Sequence, residues 1–186
     1  GAKGPLEVLF PGGDPAALAG LYDGGALGPF YAAALEPILA RLADRPWQIL
    51  EVGAGTGGLT RQLVAQLDAL GTAGKQYTFS DLGVRFLRAA QAEFTSRYPW
   101  LSTARVDLER PLTDQGLSAD RYDLVLAANV LHALTDVEKT LAELKNVLAP
   151  GGLLALIELT AAPLWVELTF GLTDGWRRRA GQAADS

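Results

Sequence analysis

Leu50-Glu51-Val52-Gly53-Ala54-Gly55-Thr56-Gly57-Gly58 is an apolar run that breaks into glycines and then opens a helix. Before it, Trp47–Val52 reads as a buried strand, and after it Leu59, Leu63 and Leu67 recur at helical spacing. A strand–glycine loop–helix unit brings backbone N–H groups close to a bound ligand, because glycine carries no Cβ to stand in the way. The spacing G-x-G-x-G lacks the Lys-Ser/Thr pair of a P-loop. Its third glycine, Gly57, comes one residue earlier than the third glycine of a G-x-G-x-x-G dinucleotide site.

The rest of the chain fits one domain, or one domain with a short appendage, in 186 residues of which 49% are hydrophobic. A formal net charge of −5 argues against a nucleic-acid partner, which needs a basic face. No run approaches the length of a membrane span and no signal peptide is visible, so no membrane partner is expected. With no cysteine and one histidine, neither disulfides nor a metal site is expected, and this cysteine usage fits a cytoplasmic protein. The chain holds no methionine, which reads as a piece of a larger polypeptide.

Residues 1–45 read as an N-terminal helical segment: Asp14 as N-cap with Pro15 behind it, a short helix over Ala16–Tyr22, and a second over Phe30–Leu42. The second helix carries Leu35, Ile38, Leu39 and Leu42 on one face. Residues 46–186 then alternate between strand and helix. Strands are expected at Trp47–Val52, Gln76–Ser80, Leu101–Val106, Tyr122–Ala128 and Leu153–Ile157. Helices are expected at Gly58–Leu70, Val84–Tyr98 and Val137–Leu148, the last closed by Pro150-Gly151-Gly152. Apolar strands alternating with helices imply a mostly parallel α/β sheet with helices on both faces. Beyond Glu158 the pattern weakens into an apolar Leu164–Phe170, a turn-rich Gly171–Trp176 and a solvated Arg177-Arg178-Arg179 tail.

In open α/β sheets ligands bind beyond the carboxyl ends of the strands. The polar residues expected there are Glu51, Asp81, Asp107, Asn129 and Glu158, with His132 three residues past a strand end. Glu51 would support the glycine loop. An acid at Asp81 can accept both ribose hydroxyls of an adenosine, although it can also cap the next helix. Asp107 can take an adenine amino group, or serve as a surface acid beside Arg105 and Arg110. Asn129 can meet the ligand or simply turn the chain. Histidine is the default general base, which makes His132 a candidate, and such a base needs an orienting partner on its other nitrogen. Glu158 is placed to be that partner.

Several runs are more particular: Pro5–Gly13, Leu50–Gly58, Tyr77–Asp81, Asp107-Leu108-Glu109-Arg110, Ala128-Asn129-Val130-Leu131-His132-Ala133 and Gly171-Leu172-Thr173-Asp174-Gly175-Trp176. In this order the chain resembles the S-adenosylmethionine-dependent methyltransferase domain of modular type I polyketide synthases, a class I methyltransferase. The resemblance implies a Rossmann-like core and S-adenosylmethionine as cofactor. It implies contacts to the cofactor from Glu51, Gly53, Gly55, Asp81, Asp107, Leu108 and Asn129, and a catalytic pair in His132 and Glu158. The implied substrate is an acyl chain on the phosphopantetheine arm of an acyl carrier protein, methylated at the α-carbon of a β-ketoacyl thioester. Neighbouring synthase domains are the other implied partners.

Three departures accompany the resemblance. The family's lid is not seen before these residues, its C-terminal strand hairpin is not seen after the fifth strand, and Trp176 is followed by Arg177 instead of a second large aromatic. Two alternatives therefore stand beside carbon methylation: methylation of oxygen on the same scaffold, and a shortened, non-catalytic domain that serves packing within the synthase. A nicotinamide oxidoreductase is disfavoured by the glycine spacing and by the lack of a Tyr-x-x-x-Lys pair.

Overall fold

The computed structural model describes residues 35–40, 46–71 and 74–158. Five strands form one parallel sheet: β1 (Gln48–Val52), β2 (Gln76–Asp81), β3 (Leu101–Arg105), β4 (Tyr122–Ala128) and β5 (Leu148–Ile157), in the order β3-β2-β1-β4-β5. The order reverses beside β1, the place in an open α/β sheet where ligands bind at the carboxyl edge. The helices are α1 (Gly58–Ala69), α2 (Val84–Ala90) and α3 (Val137–Val147). This is the Rossmann-like class I methyltransferase architecture.

Strand parity sorts the core onto two faces. Ile49, Tyr77, Phe79, Leu124 and Leu126 face α1, whose Leu59, Leu63, Val64 and Leu67 are buried against them. Leu50, Val52, Val125 and Ala127 face the other side, packed with Leu144 and Val147 of α3. Residues 35–40 are helical, and Leu35 and Leu39 join the first face. Asp14 and the helix at Ala16–Tyr22 lie outside the described residues, as do the runs after Glu158.

Two elements differ from the sequence expectation. The helix expected over Val84–Tyr98 is regular only to Ala90, and Gln91–Thr95 widens into a π-turn. Thr95 Oγ1 donates to the Gln91 carbonyl at 2.7 Å, diverting an acceptor of the helix ladder. The π-turn buries Phe94 and carries Glu93 to Arg61 of α1, whose guanidinium grips both carboxylate oxygens at 2.6 and 2.9 Å.

The second difference is in β5, which begins at Leu148, immediately after α3, instead of at Leu153. Pro150-Gly151-Gly152 is a bulge inside the strand: Tyr122 pairs with Leu148, and two residues on Leu124 pairs with Leu153. A Cβ on Gly152 would lie 2.8 Å from the Tyr122 carbonyl oxygen, so the bulge needs glycine there.

Parity also sends Glu51 inward. Its side chain is 1% exposed, and its Oε2 accepts from Thr60 Oγ1 at 2.5 Å and Tyr77 Oη at 2.6 Å. Burial pushes the Glu51 carboxyl up to about 7, against the lowering effect of the two hydroxyls and with a smaller upward push from Asp81. The folded-state value is thus above the unfolded one. Stability from this group is complete below pH 4.5 and is lost as pH rises through about 7. The loss is about 3 kcal/mol for a shift of this size. Glu51→Gln keeps an oxygen for both hydroxyls and has no charge to bury. It is expected to flatten the fall in stability between pH 5 and 7, measured by urea unfolding; a variant that keeps the parent's slope refutes the assignment.

Candidate active site at the carboxyl edge of the sheet

The three glycines of the first loop all have positive φ, for three different reasons. At Gly53 (φ +61) an added Cβ would lie 2.2 Å from Val130 Cγ2, so this glycine lets the loop after β1 close onto the loop after β4. At Gly57 (φ +81) the Cβ would lie 3.2 Å from the Phe94 ring, which the π-turn places there. At Gly55 (φ +54) it would meet, among the described residues, only the Gly53 carbonyl oxygen, at 3.9 Å. Among these residues Gly55 is the loop glycine with room for a ligand to approach the backbone.

Asp81 spans the gap between this loop and α2. Its Oδ2 accepts from Gly55 N at 2.9 Å and its Oδ1 from Gly83 N at 2.7 Å. It does not cap α2, whose N-cap is Gly83 without a side-chain bond. An ionised carboxylate has about four acceptor positions, so each oxygen keeps capacity for a further donor. Leu82, next to it, is 52% exposed.

After β3, Asp107 Oδ1 accepts from Glu109 N at 3.0 Å, and Oδ2 has no partner among the described residues. Leu108 is buried in the second core face and its carbonyl accepts from Thr140 Oγ1 of α3 at 3.1 Å. After β4, Asn129 holds φ +52, a conformation asparagine tolerates, and donates its N–H to Ile157 O at 2.7 Å.

The structure brings His132 and Glu158 together across the β4–β5 boundary. His132 Nδ1 lies 2.9 Å from Glu158 Oε2, with the two side chains 36% and 24% exposed. Glu158 Oε1 accepts from Val130 N at 2.9 Å and Leu131 N at 2.7 Å. Partial burial pushes the Glu158 carboxyl up, but the His132 hydrogen bond, then the Leu131 and Val130 N–H groups, outweigh it and hold it below its ordinary value. An ionised carboxylate only accepts, so Nδ1 of His132 donates to Glu158.

Five of the expected residues thus stand on one edge of the sheet: Gly55, Asp81, Asp107, His132 and Glu158. Glu51 and Gly53 act from behind, Glu51 holding the floor of the loop and Gly53 admitting Val130. Thr60 and Tyr77, which fix Glu51, and Gln115, which fixes Asp107, are absent from the sequence-based set. The period-2 alternation of β1 marks Glu51 as inward and in need of donors, but not which residues supply them, and nothing local marks Gln115.

A family model described as a methyltransferase domain matches residues 50–154. The chain belongs to the methyltransferase domain family. Its relatives are polyketide synthases. ThaQ of Burkholderia thailandensis is 36% identical over 186 residues, covering 96% of this chain and 9% of that protein. PksR of Bacillus subtilis is 35% identical over 184 residues, covering 95% of this chain and 7% of that protein. Among solved structures, the CurJ carbon methyltransferase matches with a TM-score of 0.83 and 35% identity over 95% of this chain and 47% of that one. The trans-methyltransferase CalH in complex with SAH matches with a TM-score of 0.77 and 29% identity over 98% of this chain and 49% of that one. The methyltransferase domain therefore spans under a tenth of these synthases and about half of the solved chains. Gly58 stands where a dinucleotide fingerprint has its third glycine, so glycine spacing alone does not separate the two cofactor classes; the family match does.

The glycine geometry separates two kinds of damage. Gly53→Ala places a methyl inside Val130, whereas Gly55→Ala adds only the left-handed backbone strain of about 1–2 kcal/mol. Urea unfolding is expected to show a clearly larger stability loss for Gly53→Ala. Equal losses would mean that Val130 does not pack on the loop as described.

Proposed function

We propose that this domain transfers a methyl group from S-adenosylmethionine to the α-carbon of a β-ketoacyl chain held on an acyl carrier protein within a polyketide synthase. The observation that carries the proposal is the His132–Glu158 pair, two residues from the side chain that touches Gly53. Its nearness to the glycine loop supports His132 as the base. The similarity to the CurJ and DszA carbon methyltransferases supports carbon over oxygen as acceptor.

The residues suit the cofactor. Gly55 leaves open space at the loop, Asp81 has acceptor capacity for two vicinal hydroxyls, exposed Leu82 offers an apolar surface for a base, and Asp107 Oδ2 is open to an amino group. When bound there, S-adenosylmethionine supplies an electrophilic sulfonium methyl. The protein's part is to align and to remove a proton. His132 takes the α-proton at the ring nitrogen not bound to Glu158, and the C–H electron pair becomes the enolate that is methylated. Glu158 holds the ring with one oxygen and the Val130–Leu131 backbone with the other.

That division of oxygens sharpens what Glu158→Gln does. The two backbone N–H groups retain the amide oxygen, so the amide NH₂ turns toward His132 and donates to Nδ1. The histidine proton moves to the outward nitrogen, which can no longer accept one, as in the tautomer argument for catalytic triads. Methyl transfer to a β-ketoacyl carrier protein, scored by mass spectrometry in the full-length synthase, is expected to fall roughly 10²–10⁴-fold in His132→Ala. It is expected to fall by a comparable factor in Glu158→Gln, with S-adenosylhomocysteine binding nearly unchanged in both. Parent-rate transfer by His132→Ala makes the histidine a bystander. A parent synthase that neither binds S-adenosylhomocysteine nor methylates points to the non-catalytic domain instead.

A further inference from the structure

The segment after β3 is held by side chains from elsewhere to a degree its surface position does not require. Gln115, at the end of a 3₁₀ turn (Thr113–Gln115), accepts from Asp107 N through Oε1 at 2.8 Å. Its Nε2 donates to Asp107 O at 2.8 Å and lies 3.1 and 3.3 Å from the carbonyls of Pro111 and Arg110. Only one orientation of the amide meets these demands, because the Asp107 N–H needs an acceptor and the three carbonyls need a donor. A single half-buried side chain therefore fixes both backbone polar groups of Asp107 and closes the loop back onto itself. Asp107 Oδ1 accepts from Glu109 N, and Oδ2 has no partner among the described residues. Glu109 in turn accepts from Thr135 N at 2.9 Å, so the pinned loop is also tied to the segment that carries His132.

Resting on the cofactor reading above, we propose that Gln115 is a positioning residue that sets base selectivity: it locks the Asp107 backbone so that Oδ2 accepts from the exocyclic amino group of adenine. Asp107 supplies the acceptor and Gln115 supplies its aim. Without the clamp the loop keeps its apolar anchors at Leu108 and Leu112, both buried, and keeps Thr140 on the Leu108 carbonyl. It loses the constraint on the residue between them and the strand. The expected consequence is therefore loss of discrimination, not loss of the domain.

The test is calorimetric titration of the full chain with S-adenosylhomocysteine and with S-inosylhomocysteine, whose hypoxanthine carries a carbonyl where adenine carries the amino group. The parent is expected to prefer the adenine ligand by at least tenfold, since a carboxylate faced with a carbonyl repels it. Gln115→Ala is expected to bind S-adenosylhomocysteine more weakly and to prefer it by less than threefold. Gln115→Glu keeps an acceptor for Asp107 N but offers no donor to the carbonyls, and is expected to lose the preference in the same way. It also decides the matter should the alanine variant unfold, as judged by circular dichroism. A folded variant that keeps the parent's preference overturns the positioning role, and a parent that binds both ligands equally overturns it too. A parent that binds neither overturns the cofactor reading itself, a separate and distinguishable failure.

Discussion

The glycine loop rests on a buried carboxylate. Glu51 sits at the last-but-one position of β1 and points into the core, where its Oε2 collects the hydroxyls of Thr60 from α1 and Tyr77 from β2. Its own carbonyl accepts from Ser80 Oγ at 2.7 Å, and the Ser80 carbonyl accepts from Ala54 N at 3.0 Å. Two strands, a helix and the loop thus converge on one residue. An unpartnered polar group at that depth would cost several kcal/mol at roughly the scale of amide or hydroxyl desolvation, so the two hydroxyls are what make the arrangement tenable. The shape of the loop above it follows, and with it the direction in which Gly55 opens.

From that floor the site is built by loops holding one another. Asp81 ties the loop after β2 to Gly55. Val130 packs on Gly53 and brings the loop after β4 against the first loop. Glu158, at the end of β5, takes the Val130 and Leu131 N–H groups and the His132 ring together. Behind the first loop, Arg61 donates to the Thr56 carbonyl at 2.9 Å while gripping Glu93. The His132–Glu158 pair and the glycine loop are therefore parts of one connected framework. A reaction that depends chiefly on alignment needs such a framework, since small displacements of the reacting groups are costly.

Much of this was legible along the chain. The Tyr122–Ala128 strand is seen with the expected bounds, and the polar residues at the strand ends do line one edge. The alternation of apolar strands and helices also led directly to a parallel sheet. Where the reading fell short, the cause was a contact distant in sequence. Val84–Tyr98 carries an unbroken apolar stripe, so nothing local announces that Gln91–Thr95 would widen to deliver Glu93 to Arg61. Pro150-Gly151-Gly152 looks like a helix stop, and it becomes a strand bulge because the Tyr122 carbonyl passes too close for any side chain at Gly152.

The sequence by itself determined the order of elements, the glycine loop and the identity of the acid, amide and histidine groups, because these depend on residue type and on periods of two and 3.6. Only the tertiary structure decided their tasks. Glu51 and Gly53 turn inward since strand parity and the approach of Val130 leave them no outward route. The Asp107 backbone is held by Gln115, eight residues away along the chain, through hydrogen bonds that exist only when the loop has closed. His132 and Glu158 lie 26 residues apart and become a pair because β4 and β5 are parallel neighbours whose ends meet. The His132–Glu158 pairing was foreseeable from neighbouring strand ends, but the Gln115 hydrogen bonds and the approach of Val130 depend on loop closure, a property of the folded chain that leaves no mark in residue spacing.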